Sequence, residues 1–169
     1  SNGRRPAMLP GVSRRMGDVY QSFIHDNTGT ATWLEQAGPG PFDGPESLAP
    51  SERCLIGFAA TVPTIPSLYN NYKRIVQTDT HLMILQEMVH DARIVPLVDR
   101  AELDDNIRLW SGDSRGYWDE ETLVVLTKNF SDLTPSFSRF GNSGNKKLTE
   151  RFTRVGKYTI EYEWTLEDP

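Results

Sequence analysis

Along residues 158–167 apolar and polar side chains alternate without a break. Tyr158, Ile160, Tyr162, Trp164 and Leu166 point one way; Thr159, Glu161, Glu163, Thr165 and Glu167 point the other. A period of two is that of an extended strand with one buried and one wet face, which is antiparallel geometry. The preceding run LTERFTRV (148–155) is also strand-like, and Gly156-Lys157 between them predicts a hairpin turn. A second hairpin is predicted from Arg115–Trp118 through a turn at Asp119–Glu121 into the β-branched run Thr122–Phe130. Upstream, YKRIVQTDTHLMILQ (72–86) gives two runs around the polar break Thr78-Asp79-Thr80, and MVHDARIVPL (88–97) continues extended to Pro96. Only AELDDNIRLW (101–110) has the pattern of a helical turn, and SFSRFGNSGNKK (136–147) has that of a loop. About seven or eight strands are thus expected in roughly 100 residues, with no long helix to cross over a parallel sheet. The fold class that follows is mainly β, an antiparallel barrel or a strongly curved sheet; a barrel of eight strands encloses packed side chains or one small ligand.

The first third of the chain has another texture. GPGPFDGPES (38–47) and TVPTIPS (61–67) are rich in Pro and Gly, which break both helix and central strand. Residues 1–50 are expected to form an irregular arm wrapped on a barrel domain of 51–169, with short elements at 18–25 and 46–54. Trp33, Phe42 and Phe58 would anchor it.

Composition narrows the function classes. The 169 residues fit one domain with an extension, and a net charge of −5 gives no electrostatic footprint for nucleic acid. No apolar run approaches the roughly 18 residues of a membrane helix. The single cysteine, Cys54, excludes an internal disulfide and is expected to be a small buried hydrophobe. The opening Ser-Asn-Gly resembles the remnant of a cleaved tag; a periplasmic or exported location follows if a leader was removed, a cytoplasmic one otherwise.

Gly112-Asp113-Ser114-Arg115-Gly116 has the look of a hydrolase nucleophile block. A serine nucleophile needs a histidine and an acid in support, and no histidine follows His90. Asp113 and Ser114 are therefore expected to hold a barrel corner by local hydrogen bonds, with Arg115 stacked on Trp110 or Trp118.

IRLWSGDSRGYWDEETLVVLTKNF, with YNNYKRIVQT and EMVHDARIVPL before it and LTERFTRV and YEWTLEDP after it, resembles a family of mostly uncharacterised bacterial proteins, many of them exported. The resemblance spans 52–169 and implies no established activity. It departs at Asp119-Glu120-Glu121, where the family usually carries an acid-Gly-Asp run, and at the end, where relatives continue past the EDP motif.

Among clusters that could carry chemistry, QEMVHDAR (86–93) is the densest. In a continuous strand Gln86, Met88 and His90 would point inward with Leu82, Ile84, Ala92 and Ile94, while Glu87, Asp91 and Arg93 would form an outer charged ladder. His90 then serves either as a general acid/base or as a satisfied core histidine. Tyr69-Asn70-Asn71-Tyr72, two amides between two phenols, could bind a carbonyl or carboxylate, or cap a turn. Trp118, Phe152, Tyr162 and Trp164 either line a pocket or fill a core. Glu87-x-x-His90 would suit a metal on a helix, but in a strand the two lie on opposite faces, and His25 and His81 lack ligand-like spacing to His90; with no phosphate loop either, no cofactor is expected. The leading expectation is a cofactor-free acid/base enzyme of lyase, isomerase or cyclase type on a lipocalin-like barrel. His90 and Tyr69 would be catalytic. Asn71, Gln86, Met88, Trp110, Arg115, Trp118, Phe152, Tyr162 and Trp164 would hold a small, partly apolar substrate. The alternatives are a non-catalytic carrier of a hydrophobic ligand and a protein-interaction module, with a homodimer open.

Overall fold

The computed structural model describes residues 54–56, 62–66, 69–131 and 144–168. All lie within the unit Pro50–Pro169. The expected arm of 1–50 with Trp33 and Phe42, and the anchor Phe58, lie outside the described residues.

Seven strands follow one another: β1 (Lys73–Gln77), β2 (His81–Gln86), β3 (Ala92–Pro96), β4 (Asp113–Asp119), β5 (Thr122–Lys128), β6 (Lys147–Gly156) and β7 (Thr159–Glu167). Every pairing is antiparallel and between sequence neighbours, in a three-stranded sheet β1-β2-β3 and a four-stranded sheet β4-β5-β6-β7. The one helical element among the described residues is a 3-10 turn, Met88–His90. No described helix is long and apolar enough to cross a membrane. The expected helical turn in 101–110 is a loop instead, tightened where the Asp104 side chain accepts from the Asn106 amide N–H at 2.8 Å.

The mainly β, antiparallel expectation holds; the closed barrel does not, among the described residues. The meander splits between β3 and β4, which are joined by residues 97–112 rather than by a hairpin. The two strands meet through side chains. A Cβ on Gly116 of β4 would lie 2.8 Å from Leu97 Cδ2 and 3.0 Å from Val95 Cγ1. Glycine at 116 therefore lets Val95 of β3, and Leu97 just beyond its end, press directly on the β4 backbone, a close approach that takes the place of a hydrogen-bonded ladder.

The sheets share a core. Leu82, Ile84 and Val95 of the first pack with Leu123 and Val125 of the second, and Leu97 and Phe152 add to the cluster. Val62, Phe130 and Leu148 form another, covered by Trp164 and Leu166. Burying a side chain of this size contributes roughly 1.5–3 kcal/mol, so these residues fix which strand face is inside.

The alternation of the last strand is observed but not over its full length. Tyr162, Trp164 and Leu166 are half-buried, while Ile160 is 53% and Tyr158 88% exposed. The reason is register. β5 pairs with β6 only over Thr122–Thr127 and Leu148–Thr153, so the β6–β7 hairpin runs on past the end of β5, and its tip is exposed. Cys54, expected inside, is exposed.

The largest departure lies at 86–93. The segment 88–97 is not one extended run; the chain reverses at 87–91 into the β2–β3 hairpin. The turn is closed by the Gln86 N–H donating to the Asp91 carbonyl at 2.8 Å. Val89 and His90 both take left-handed backbone, φ 57° and 54°. The turn flips the parity: even positions point inward on β2 (Leu82, Ile84, Gln86) and odd ones on β3 (Arg93, Val95).

Candidate functional site

Where the inner faces of the two sheets meet, one end of the interior is polar. β3 carries Arg93 inward and β6 carries Glu150, which its strand neighbours Leu148 and Phe152 place on the same face. Arg93 is 5% exposed and Glu150 is fully buried. The Arg93 Nη1 donates to Glu150 Oε2 at 2.6 Å, a charge-assisted bond that ties the first sheet to the second. Tyr162 of β7 donates its hydroxyl to the other Glu150 oxygen at 2.8 Å. The same hydroxyl accepts from the Thr64 backbone N–H at 2.9 Å, pinning the 62–66 segment. The Phe152 ring stacks at a tilt on Tyr162, centroids 4.9 Å apart.

Burial, then the charge of Glu150, holds the Tyr162 phenol well above the usual tyrosine range. It stays protonated and acts as a donor. Lys73 of β1, opposite Gln86 in register, adds a second cation on this face. Burial lowers its pKa first, and the Arg93 charge lowers it further. Asp91, at the end of the turn, is raised by burial against smaller lowering effects from Ser111, the Ala92 backbone and Arg93.

The expected site residues separate into two groups. Gln86, Phe152 and Tyr162 are brought toward this interior, with Gln86 fully buried, and Met88 is buried in the turn that follows β2. Trp164 packs instead on the Val62–Phe130–Leu148 cluster. His90 is exposed: it sits on the turn, after the strand that was to carry it inward has ended. Tyr69 and Asn71 are exposed as well, and Trp110 is half-buried. Glu87 is no part of an outer ladder with Asp91 and Arg93. Its carboxylate accepts from the Tyr72 N–H at 3.1 Å, fastening the start of β1. Trp118 is half-exposed at the end of β4. Two surface depressions, one beside Asn145, Lys147, Glu167 and Asp168 and one beside Thr149, Arg151, Glu163, Trp164 and Thr165, are not lined by His90.

The Gly112–Gly116 block is structural. Ser114 is buried in β4, and its hydroxyl pairs across the ladder with that of Thr127 at 2.9 Å. Both described histidines, His81 and His90, are exposed, so neither stands beside the buried Ser114 as a base. Asp113 is held by Arg100 and by Arg115, the latter at 3.7 Å. Rather than stacking on a tryptophan, Arg115 donates to the Arg100 and Ala101 carbonyls, both at 2.8 Å. It clamps the β3–β4 connection, which leaves two of its donors unavailable to a ligand.

Sequence reasoning missed Lys73, Arg93, Glu150 and Thr64 as site residues. Glu150 was legible in part: it is the lone charge in an otherwise apolar even-numbered face of LTERF. Arg93 was hidden by the parity flip. Comparison of the chain with family models, with curated proteins and with solved structures finds no match.

Proposed function

We propose that the two-sheet unit binds a small, partly apolar organic molecule in its interior, as a lipocalin-like container would, without turning it over. The observation that carries this reading is the Arg93–Glu150–Tyr162 network, buried beside the Leu82–Ile84–Val95–Leu123–Val125 wall. A buried ion pair rarely gains stability over well-packed apolar residues. An interior that keeps one next to apolar side chains suits a ligand with a polar head and an apolar body, which would part the two sheets on entering, since these side chains pack on one another. Binding is favoured over the acid/base enzyme reading for two reasons. His90, the proton-transfer group of that reading, lies on the surface, and the interior phenol of Tyr162 is a poor base because it keeps its proton.

The test uses a neutral fluorescent probe, N-phenyl-1-naphthylamine, titrated into the protein. Saturable binding is expected, with a thermal midpoint that rises with probe concentration. Ile84→Phe, which adds bulk to the same wall, should weaken the affinity by about tenfold, about 1.4 kcal/mol. Linear, unsaturable fluorescence with no thermal shift overturns the proposal.

A further inference from the structure

Among the described strands, β1, β3, β4 and β7 each have one side without a ladder. β3 and β4 press on each other through Val95 and Gly116. β1 is five residues long and opens with Lys73-Arg74, and short, basic edge strands resist further pairing. β7 has nine residues with no Lys and no Pro, so it lacks those devices. Its half at 159–163 is the barest. No backbone group there bonds to anything but β6. On its inner side Ile160 is exposed where the hairpin runs on past β5. On its outer side stand Thr159, Glu161 and Glu163, all exposed. Neither carboxylate is in an ion pair. Arg151, opposite Glu163 on β6, donates to Asp119 at 2.8 Å instead, and Arg154 donates to the Gly156 and Lys157 carbonyls. The edge is therefore unladdered, apolar on one side and acidic on the other.

We propose that the edge of β7 at 159–163 docks an extended segment of a partner protein whose residues alternate apolar and basic. The segment adds as a further strand, and its backbone meets the outward N–H and C=O groups of 159–163. Paired residues on neighbouring strands share a face, so its apolar side chains cover Ile160 while its Lys or Arg side chains stand beside Glu161 and Glu163. The surface depression lined by Thr149, Arg151, Glu163, Trp164 and Thr165 begins where this row ends and leaves room for the basic side chain next to Glu163. A second copy of the chain fits worse. Edge-to-edge pairing centred on Tyr162 would set Glu161 opposite Glu163 of the second copy, twice, and like charges directly opposite destabilise a sheet. This docking edge is on the surface and does not depend on binding in the interior.

Fluorescence anisotropy with fluorescein-labelled Lys-Val-Lys-Val-Lys-Val amide, against Glu-Val-Glu-Val-Glu-Val amide, tests the proposal. The basic peptide should bind saturably and at least about tenfold more tightly than the acidic one. Glu161→Lys combined with Glu163→Lys, both at exposed positions, should reverse that preference with the thermal midpoint little changed. N-methylation of all the valines, or of all the lysines, removes the donors from one edge of the peptide and keeps its charge. A ladder uses one edge, so one of the two methylated forms should lose binding. Absence of saturable binding, equal binding of the two peptides, or a basic preference retained by the double variant overturns the proposal. So does binding kept by both methylated forms, which would be charge attraction without a ladder. Sedimentation equilibrium of the protein alone should give a monomer. A dimer that Ile160→Lys dissolves would assign the edge to a second copy and overturn the choice of partner.

Discussion

Glu120, at the tip of the β4–β5 hairpin, shows how a single residue bears on turn chemistry. Asp119 pairs with Thr122, so Glu120 and Glu121 alone make the turn, and Glu120 has φ 55°. A non-glycine residue in left-handed backbone costs about 1–2 kcal/mol because its Cβ crowds the following carbonyl. Glu120→Gly should therefore raise the urea midpoint, with a gain of about 1 kcal/mol at unchanged slope. An unchanged or lowered midpoint would place the turn in another conformation. At Tyr162 the expected effect is one of pH. Its folded pKa is raised above the ordinary tyrosine value of 10.0. The stability it contributes is fully present below that value and is lost as pH rises toward the folded pKa, because the unfolded chain releases the proton first. Between pH 10 and the alkaline limit of folding, native stability should fall more steeply than that of Tyr162→Phe, measured by urea unfolding at each pH. Parallel curves would mean that neither burial nor Glu150 raises the phenol's pKa in the folded protein.

At the scale of elements, hairpins were legible where the turn residues announced them. Gly156-Lys157 and the Thr78-Asp79-Thr80 break both mark observed reversals, and the strict alternation of 158–167 is a real strand. The β2–β3 hairpin was not legible. Its turn, Glu87 to Asp91, has no Gly, Pro or Asn, and it is built from Val89 and His90 in left-handed backbone, which a β-branched residue such as valine rarely adopts. Missing that turn inverted every later inward and outward assignment up to Pro96, since a period of two has no memory of face beyond one reversal. That is why Arg93 was placed outside and His90 inside. The junction of β3 with β4 was equally silent, because a single glycine does not say what approaches it. Gly116→Ala should cost about 1–3 kcal/mol, since the new methyl meets Leu97 and Val95, and hydrogen exchange should quicken in β3 more than in β6. A neutral effect would mean that β3 does not press on β4.

For the molecule as a whole, the mainly β class and the antiparallel order followed from the lack of any long helical period. Closure did not, because side-chain contact and ladder pairing between β3 and β4 leave the same alternation in the sequence. What joins the sheets in the structure is a shared core with one ion pair inside it, Arg93 from β3 and Glu150 from β6. That pair places Arg93 in the interior and ties the two sheets. A double-mutant cycle with Arg93→Met and Glu150→Leu, read by urea unfolding, tests it most directly. Each single change strands a buried charge and should cost about 3–5 kcal/mol, while the double removes both. The double variant should therefore be more stable than the sum of the singles implies, by about 2 kcal/mol. Additivity within about 0.5 kcal/mol would contradict the account, since it would mean that the two side chains do not meet.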